Sequence, residues 1–170
     1  MTPPNLDHPQ RLATASHRLL GRLAGLEWAP DAYLAGSAAL ALYLGHRPVV
    51  DLDVMSGTLR LGSAERRDVL GSLLAVEPAT RVETARDGYL SVQAGEVGLP
   101  LYYYPYPLVE PPAELEGFAV ASAVDLGLMK LGAIISRGSR RDFLDLYLLC
   151  RRLPLAELLA AAGDKFGHVR

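Results

Sequence analysis

Eight residues, Pro48-Val49-Val50-Asp51-Leu52-Asp53-Val54-Met55, limit the folds open to this chain more than any other feature. The alternation of acid and apolar residues predicts a strand over 48–55. Residues i and i+2 of a strand share a face, so Asp51 and Asp53 project together while Val50, Leu52 and Val54 pack on the other side. Two like charges in a half-buried strand repel, at a cost that a cation removes. A magnesium or manganese ion, which prefers oxygen ligands, is one resolution. An edge strand exposing two solvated acids is another, and D-x-D alone does not separate them.

The preceding segment narrows the choice. Ala32-Tyr33-Leu34-Ala35 reads as a short strand ending at Gly36-Ser37, where an Ala/Leu-rich helix opens and runs from Ser37 to Leu44, closed by Gly45. Glycine lets a backbone approach a phosphate, and a helix N-terminus supplies unpaired N–H groups and partial positive charge. Ser37 fits as the cap of its own helix and as a phosphate donor. A Gly turn with a Ser cap is common, but followed by an apolar helix and D-x-D it sets a phosphate site beside a metal site. Arg47, on the approach to the acids, suits a phosphate or an ion pair.

Helices dominate both ends of the chain and strands its middle. A first helix is expected from Pro9 to Leu23 with Asp7 as N-cap, and a third from Ala64 to Val76 capped by Ser63. Strands follow over Thr80–Ala85, Tyr89–Gln93 and Gly98–Tyr104, the first two joined by a hairpin turn at Arg86-Asp87-Gly88. Pro100 argues for an edge position or a late start of the third. Residues 110–116 read as a rigid loop and Phe118–Ala121 as a short strand. Ser122 and Asp125 open a helix to Ser136, with further helices over Arg140–Arg152 and, shorter, from Pro154. This pattern predicts an α+β fold, a small mixed β-sheet flanked by helices with a short C-terminal helical tail. The expected division is an α/β core over 1–121 and a helical segment over 122–170, packed on it as one unit.

The helical segment holds the third candidate group, Asp125, Lys130, Arg137, Asp142 and Asp145. Lys130 is the sole lysine of an otherwise apolar helix, so it either meets an anion such as a triphosphate or snorkels to solvent. Asp142 and Asp145 share a helix face, and Asp142 suits ion pairing and N-terminal capping. Residues 1–119 carry 9 Lys/Arg against 14 Asp/Glu, and residues 120–170 carry 8 against 5. An acidic part joined to a basic part suits a metal-binding half facing a phosphate-binding half, although helix surfaces also vary in charge by chance. Tyr102 to Tyr106 offer either a stacking surface for a base or alternating core and rim tyrosines. His8, His17, His46 and His168 lack zinc spacing.

Composition sets the outer bounds. With 170 residues, 50% of them hydrophobic, and a net charge of −2, the chain suits one domain with a core and not a disordered segment. No apolar run is long enough to cross a bilayer, which argues against a membrane partner. The polar, proline-bearing start does not fit a secretory signal. One cysteine, Cys150, predicts an inert thiol in a reducing, cytoplasmic setting.

Two blocks, YLAGSAALALYLGHRPVVDLDVMS and ASAVDLGLMKLGAIISRGSRRDFLDLYLL, resemble the AbiEii/AbiGii toxin-type nucleotidyltransferases of the DNA polymerase β-like superfamily. The resemblance implies a fold that binds a nucleoside triphosphate with Mg2+ or Mn2+. Gly36 and Ser37 would hold terminal phosphates, Asp51 and Asp53 the metal, and Lys130 and Asp142 would contact nucleotide or acceptor. Transfer of a nucleoside monophosphate to a hydroxyl, with an RNA end as acceptor and an antitoxin protein as partner, is the implied function. Arg137, Arg140, Arg141, Arg151 and Arg152 favour a nucleic-acid acceptor if they share a face. One departure stands out: superfamily members place a third carboxylate on a later strand, whereas Val97 to Tyr102 contains no acid and Glu96 lies just outside. The alternative is therefore a non-catalytic nucleotide- or partner-binding module of the same fold.

Overall fold

The computed structural model describes residues 5–167. The first four residues of the polar amino end, and His168, lie outside that range. Among the described residues, seven strands form one mixed sheet: β1 (Ala32–Leu34), β2 (Val54–Ser56), β3 (Thr80–Arg86), β4 (Tyr89–Ala94), β5 (Val97–Tyr103), β6 (Ala113–Leu115) and β7 (Phe118–Val120). Their order is β3-β4-β5-β2-β1-β7-β6. Six α-helices accompany it: α1 (Thr14–Leu23), α2 (Gly36–Leu44), α3 (Ser63–Val76), α4 (Ala123–Ser136), α5 (Arg140–Cys150) and α6 (Leu155–Phe166). This is the mixed α/β architecture expected from the sequence.

At the centre β1 runs antiparallel to β2, while β2–β5 and β1–β7 are parallel. The parallel pairs join distant segments, Leu34 to Val120 and Val54 to Leu101, so the centre of the sheet is made by non-local pairing. The β3–β4–β5 meander is local, and Gly88 takes the positive φ of 77° that its hairpin turn needs. Leu34, Val54, Leu99, Leu101 and Val120 are buried with Leu20, Leu23, Leu40 and Leu42 in one apolar core. Helix α1 packs on α3, β5 and β7, whereas α2 packs on α4 and α5.

Several expectations fail at the level of local structure, each for a tertiary reason. The first helix does not run from Pro9 with an Asp7 cap. A 3-10 turn covers Pro9–Arg11 and α1 begins only at Thr14, because Val49 N–H donates to Arg11 O at 2.8 Å and Ala13 N–H to Val49 O at 3.0 Å. Ser37 does not cap α2, since Ala35 is the N-cap and Ser37 lies inside the first turn. Ser63 likewise starts α3 behind Gly62, and Glu65 reaches back to the Gly62 N–H at 3.3 Å. A strand does form from residues 113–115, assigned to a rigid loop, because β7 pairs with it. Helix α6 has 12 residues and is not short.

Pro100 lies in the interior of β5, between β4 and β2, not at an edge. Tyr103 N–H donates to Gly88 O on the β4 side, so alternation turns the Pro100 nitrogen the other way. There it faces the extended segment that precedes β2, which starts only at Val54. No helix among the described residues is long and apolar enough to cross a membrane.

Candidate active site

Asp51 and Asp53 do not lie on a strand. They occupy the extended segment just before β2, with Leu52 fully buried between an exposed Asp51 and a half-buried Asp53. Two backbone bonds hold the segment: Leu52 N–H donates to Gly98 O at 2.9 Å and Ala35 N–H donates to Asp53 O at 2.8 Å. The segment is thus pinned on one side to β5 and on the other to the turn leading into α2.

Each carboxylate meets a backbone N–H. Asp51 Oδ1 accepts from Gly98 N–H at 3.0 Å, and Asp53 Oδ2 accepts from Ser37 N–H at 3.3 Å, in the first turn of α2. Gly36 is required here on two counts, since its φ is +57° and a Cβ would lie 2.6 Å from Asp53 Cγ. Burial pushes the Asp53 carboxyl above the usual range, opposed by the Ser37 N–H and by Lys130, and reinforced by the charge on Asp51. A carboxylate held against its own solvation suits an incoming cation.

Across from Asp53 stands a network that joins α4 and α5. Lys130, nearly buried, lies 3.2 Å from Asp142 Oδ1 and 2.8 Å from Asp145 Oδ2. Arg137 binds Asp142 with two bonds, Nε to Oδ2 at 2.9 Å and Nη2 to Oδ1 at 3.0 Å. Ser139 caps α5 and donates to Asp142 Oδ2 at 2.6 Å. Hydrogen bonding by Arg137 foremost, then by Ser139 and Lys130, holds the Asp142 carboxyl well below its ordinary range. Lys130 therefore does not snorkel: two buried acids fix it.

These residues border a cleft of about 930 Å3. Gly36, Ser37 and Asp53 line it from the α2 side, and Lys130, Arg137, Arg140, Arg141 and Asp142 from α4–α5. Asp51 and Arg47 do not line it. The Arg47 charge lies near His46, whose pKa it helps lower. Of the five arginines named from the sequence, three reach the cleft, while Arg152 donates to Tyr43 O at 2.7 Å instead.

Gly98, Pro100 and Tyr102 share the face of β5 from which Tyr102 lines the cleft, because Val97, Leu99 and Leu101 point into the core. None is acidic, and Glu96 sits exposed in the β4–β5 turn. Tyr102 lines the cleft, and burial, with the negative charge of Asp53 nearby, pushes its phenol up to about 12, so it stays protonated. Sequence reasoning missed Gly98. A Cβ there would stand 2.7 Å from Asp51 Oδ1 and 3.0 Å from its Cγ. Gly98→Ala should displace the Asp51 carboxylate into solvent, costing less than about 1 kcal/mol of stability but about a hundredfold in turnover. Melting temperature and rate, measured side by side on the same preparation, check this.

His46 lies behind the network. Its Nε2 is 3.8 Å from Asp145 Oδ1, and both ring nitrogens are buried without a hydrogen-bond partner. Burial lowers its pKa, with Arg47, Lys130 and Arg11 adding to the effect and Asp145 opposing it. The folded state then binds fewer protons than the unfolded chain below the ordinary histidine pKa of about 6.5, so stability falls as pH drops through it. Thermal melts at pH 7.5 and 5.5 should show a larger loss for the wild type than for His46→Gln.

Comparisons with known proteins agree with this architecture. A protein of Aquifex aeolicus (aq_aa25), itself uncharacterized, is 28% identical over 167 residues, covering 94% of this chain and 78% of that protein. JHP933 of Helicobacter pylori superposes with a TM-score of 0.56 at 20% identity over 87% of this chain, which spans only 66% of JHP933. The antibiotic-resistance factor ANT(2'')-Ia superposes with a TM-score of 0.59 at 17% identity, covering 92% and 91% of the two chains. The Megavirus polyadenylate synthase gives 0.54 at 12% identity, over 81% of this chain and 32% of the synthase. At such identities these likenesses establish the fold. The family is established by the model of the nucleotidyl transferase AbiEii toxin of type IV toxin–antitoxin systems, which matches residues 18–169, and the chain belongs to that family.

Proposed function

We propose that this chain transfers a nucleoside monophosphate from a nucleoside triphosphate to a hydroxyl, with an RNA end as the acceptor. The observation that carries this reading is the meeting, in one cleft, of Asp53 and the α2 N-terminus with Lys130 and Arg137. The Ser37 hydroxyl and the start of α2 bind terminal phosphates, with Gly36 giving the backbone room to approach. Arg137 and Lys130 offer N–H donors opposite, and their pairing with Asp142 and Asp145 keeps them in place before substrate arrives. Arg140 and Arg141 on the cleft rim draw in a polyanionic acceptor.

Asp51 and Asp53 fit a magnesium or manganese ion. They offer hard oxygen donors, and the raised pKa of Asp53 marks a charge short of compensation. Among the described residues no cluster of three ligating side chains is present. Two carboxylates suit an ion that arrives on substrate phosphates and keeps some of its own water. Bound there, the ion would neutralise charge on the reacting phosphates. The acceptor oxygen bonds to the α-phosphorus, the bond to the bridging oxygen breaks, pyrophosphate leaves with the electron pair, and the hydroxyl proton passes to solvent. In a toxin–antitoxin setting, an antitoxin protein is the expected partner.

The acid-free cleft face of β5 favours a second reading, a nucleotide-binding module without turnover. Transfer of label from each α-labelled nucleoside triphosphate to cellular RNA and protein, with magnesium or manganese, separates the two. Label in RNA that Asp51→Asn abolishes supports the transferase. Metal-dependent nucleotide binding without label supports the module, and neither overturns both.

A further inference from the structure

The phosphate-facing end accounts for only part of the cleft. The rest of its wall is apolar and aromatic: Tyr104 and Tyr106 from the loop after β5, Phe166 from the end of α6, and Met129, Gly132 and Ala133 from α4. The three rings form a series. Tyr104 and Tyr106 are 4.9 Å apart at 53°, and Tyr106 meets Phe166 edge-on at 5.1 Å and 76°. All three are half-buried, so each ring keeps part of its surface towards the cleft.

Placement of these rings is over-determined. Lys165, beside Phe166, is fully buried, with Nζ 2.7 Å from Asp125 Oδ1 and 2.8 Å from Pro107 O. The same ammonium lies 5.6 Å from the centre of the Tyr104 ring. On the α4 side, Gly132 lies in contact range of the Phe166 ring, a Cβ there standing an ordinary 3.5 Å from Cζ. An apolar side chain could fill this wall more simply than three rings set by a buried ion pair.

We infer that Phe166, with Tyr106 and Tyr104, forms the nucleobase subsite of the cleft and stacks the base of the donor triphosphate. The inference rests on the nucleotidyltransferase reading, because the polar end must hold the phosphates for the base to reach the rings. A cleft of about 930 Å3 falls within the range of small-molecule sites and is polar at one end and aromatic at the other, matching the two ends of a nucleotide. Ring faces accept any base, so the subsite contributes affinity with only a modest preference among the four. Helix α6 is thereby part of the site and not an appendage to it.

The test is calorimetric binding, with magnesium, of the four nucleoside triphosphates, ribose 5'-triphosphate, inorganic tripolyphosphate and a short single-stranded RNA. Wild-type protein should bind the nucleotides more tightly than ribose triphosphate. Phe166→Leu should weaken nucleotide binding about 5- to 150-fold, leave tripolyphosphate unchanged, and be rescued by Phe166→Trp. Equal affinity of the wild type for nucleotide and ribose triphosphate overturns the subsite whether or not the variant folds. So does equal weakening of nucleotide and tripolyphosphate by Phe166→Leu. If only binding of a short single-stranded RNA suffers, the rings hold an acceptor base and the donor assignment falls. A wild type that binds none of the phosphates overturns the nucleotidyltransferase reading, and this inference with it.

Discussion

Asp53→Asn should abolish label transfer, by about a thousandfold or more, while leaving the chain folded. The size follows from losing one of two oxygen donors for an ion that supplies several kilocalories to phosphoryl chemistry, at about 1.4 kcal/mol per factor of ten. The same substitution should raise the melting temperature of metal-free protein at neutral pH. Asp53 has its pKa raised by burial, so the folded state binds its proton more tightly than the unfolded chain does. Ionised Asp53 therefore costs stability above the ordinary carboxylate pKa of about 4, and the cost vanishes below it. Melts with chelator should show the variant above wild type at pH 7 and level with it near pH 3. An inactive variant that is also less stable at pH 7 would mean that Asp53 serves the fold, and its role in the site would lose support.

Lys165→Met should give the largest loss of stability. Asp125 and Lys165 are both fully inaccessible, and removing the ammonium leaves a buried carboxylate without its counter-charge. Breaking such a pair from one side costs about 3–5 kcal/mol. Asp125 retains three donors, Val109 N–H at 2.9 Å, Glu110 N–H at 3.2 Å and Ser122 Oγ at 2.9 Å, which places the loss near 3 kcal/mol. That corresponds to roughly 6–12 °C in a domain of this size. The double variant Lys165→Met/Asp125→Asn should recover part of it, because no charge is then stranded. Urea titrations of the two single variants and the double variant measure the coupling. A double variant as unstable as the sum of its parts would show that the two side chains do not act as a pair.

The parts of the fold readable in the sequence were those fixed within a few residues. The Ser122 cap accepts from Asp125 N–H at 3.0 Å as its spacing requires, and the Asp87-Gly88 turn closes its hairpin. Of the three-residue strands β1 and β7 were legible, whereas β6 exists only by pairing with β7 and β2 only by pairing with β1 and β5. Alternation could not show that the ladder begins only after the two acids. The same limit applied to Pro100, whose tolerance depends on which neighbour its nitrogen faces. Within the candidate site, Gly36, Ser37, Asp53, Lys130 and Asp142 line one cleft, whereas Arg47 is outside it. Lys165 was legible and overlooked. It falls seven residues after Leu158, the other fully buried position of α6, so the apolar stripe of that helix runs directly through it.

The two sides of the cleft come from segments far apart in the sequence, Gly36 to Asp53 on one and Leu126 to Phe166 on the other. During translation the acids emerge first, and the lysine and arginines that face them follow roughly 4–15 s later at ordinary elongation rates. Strand β1 must also wait for Val120 before its parallel neighbour exists. A nascent chain that has passed only the acids thus carries one wall of the cleft, and a product released before Lys130 has no means of completing it. The order of synthesis withholds the complete cleft until α4, α5 and α6 have been made.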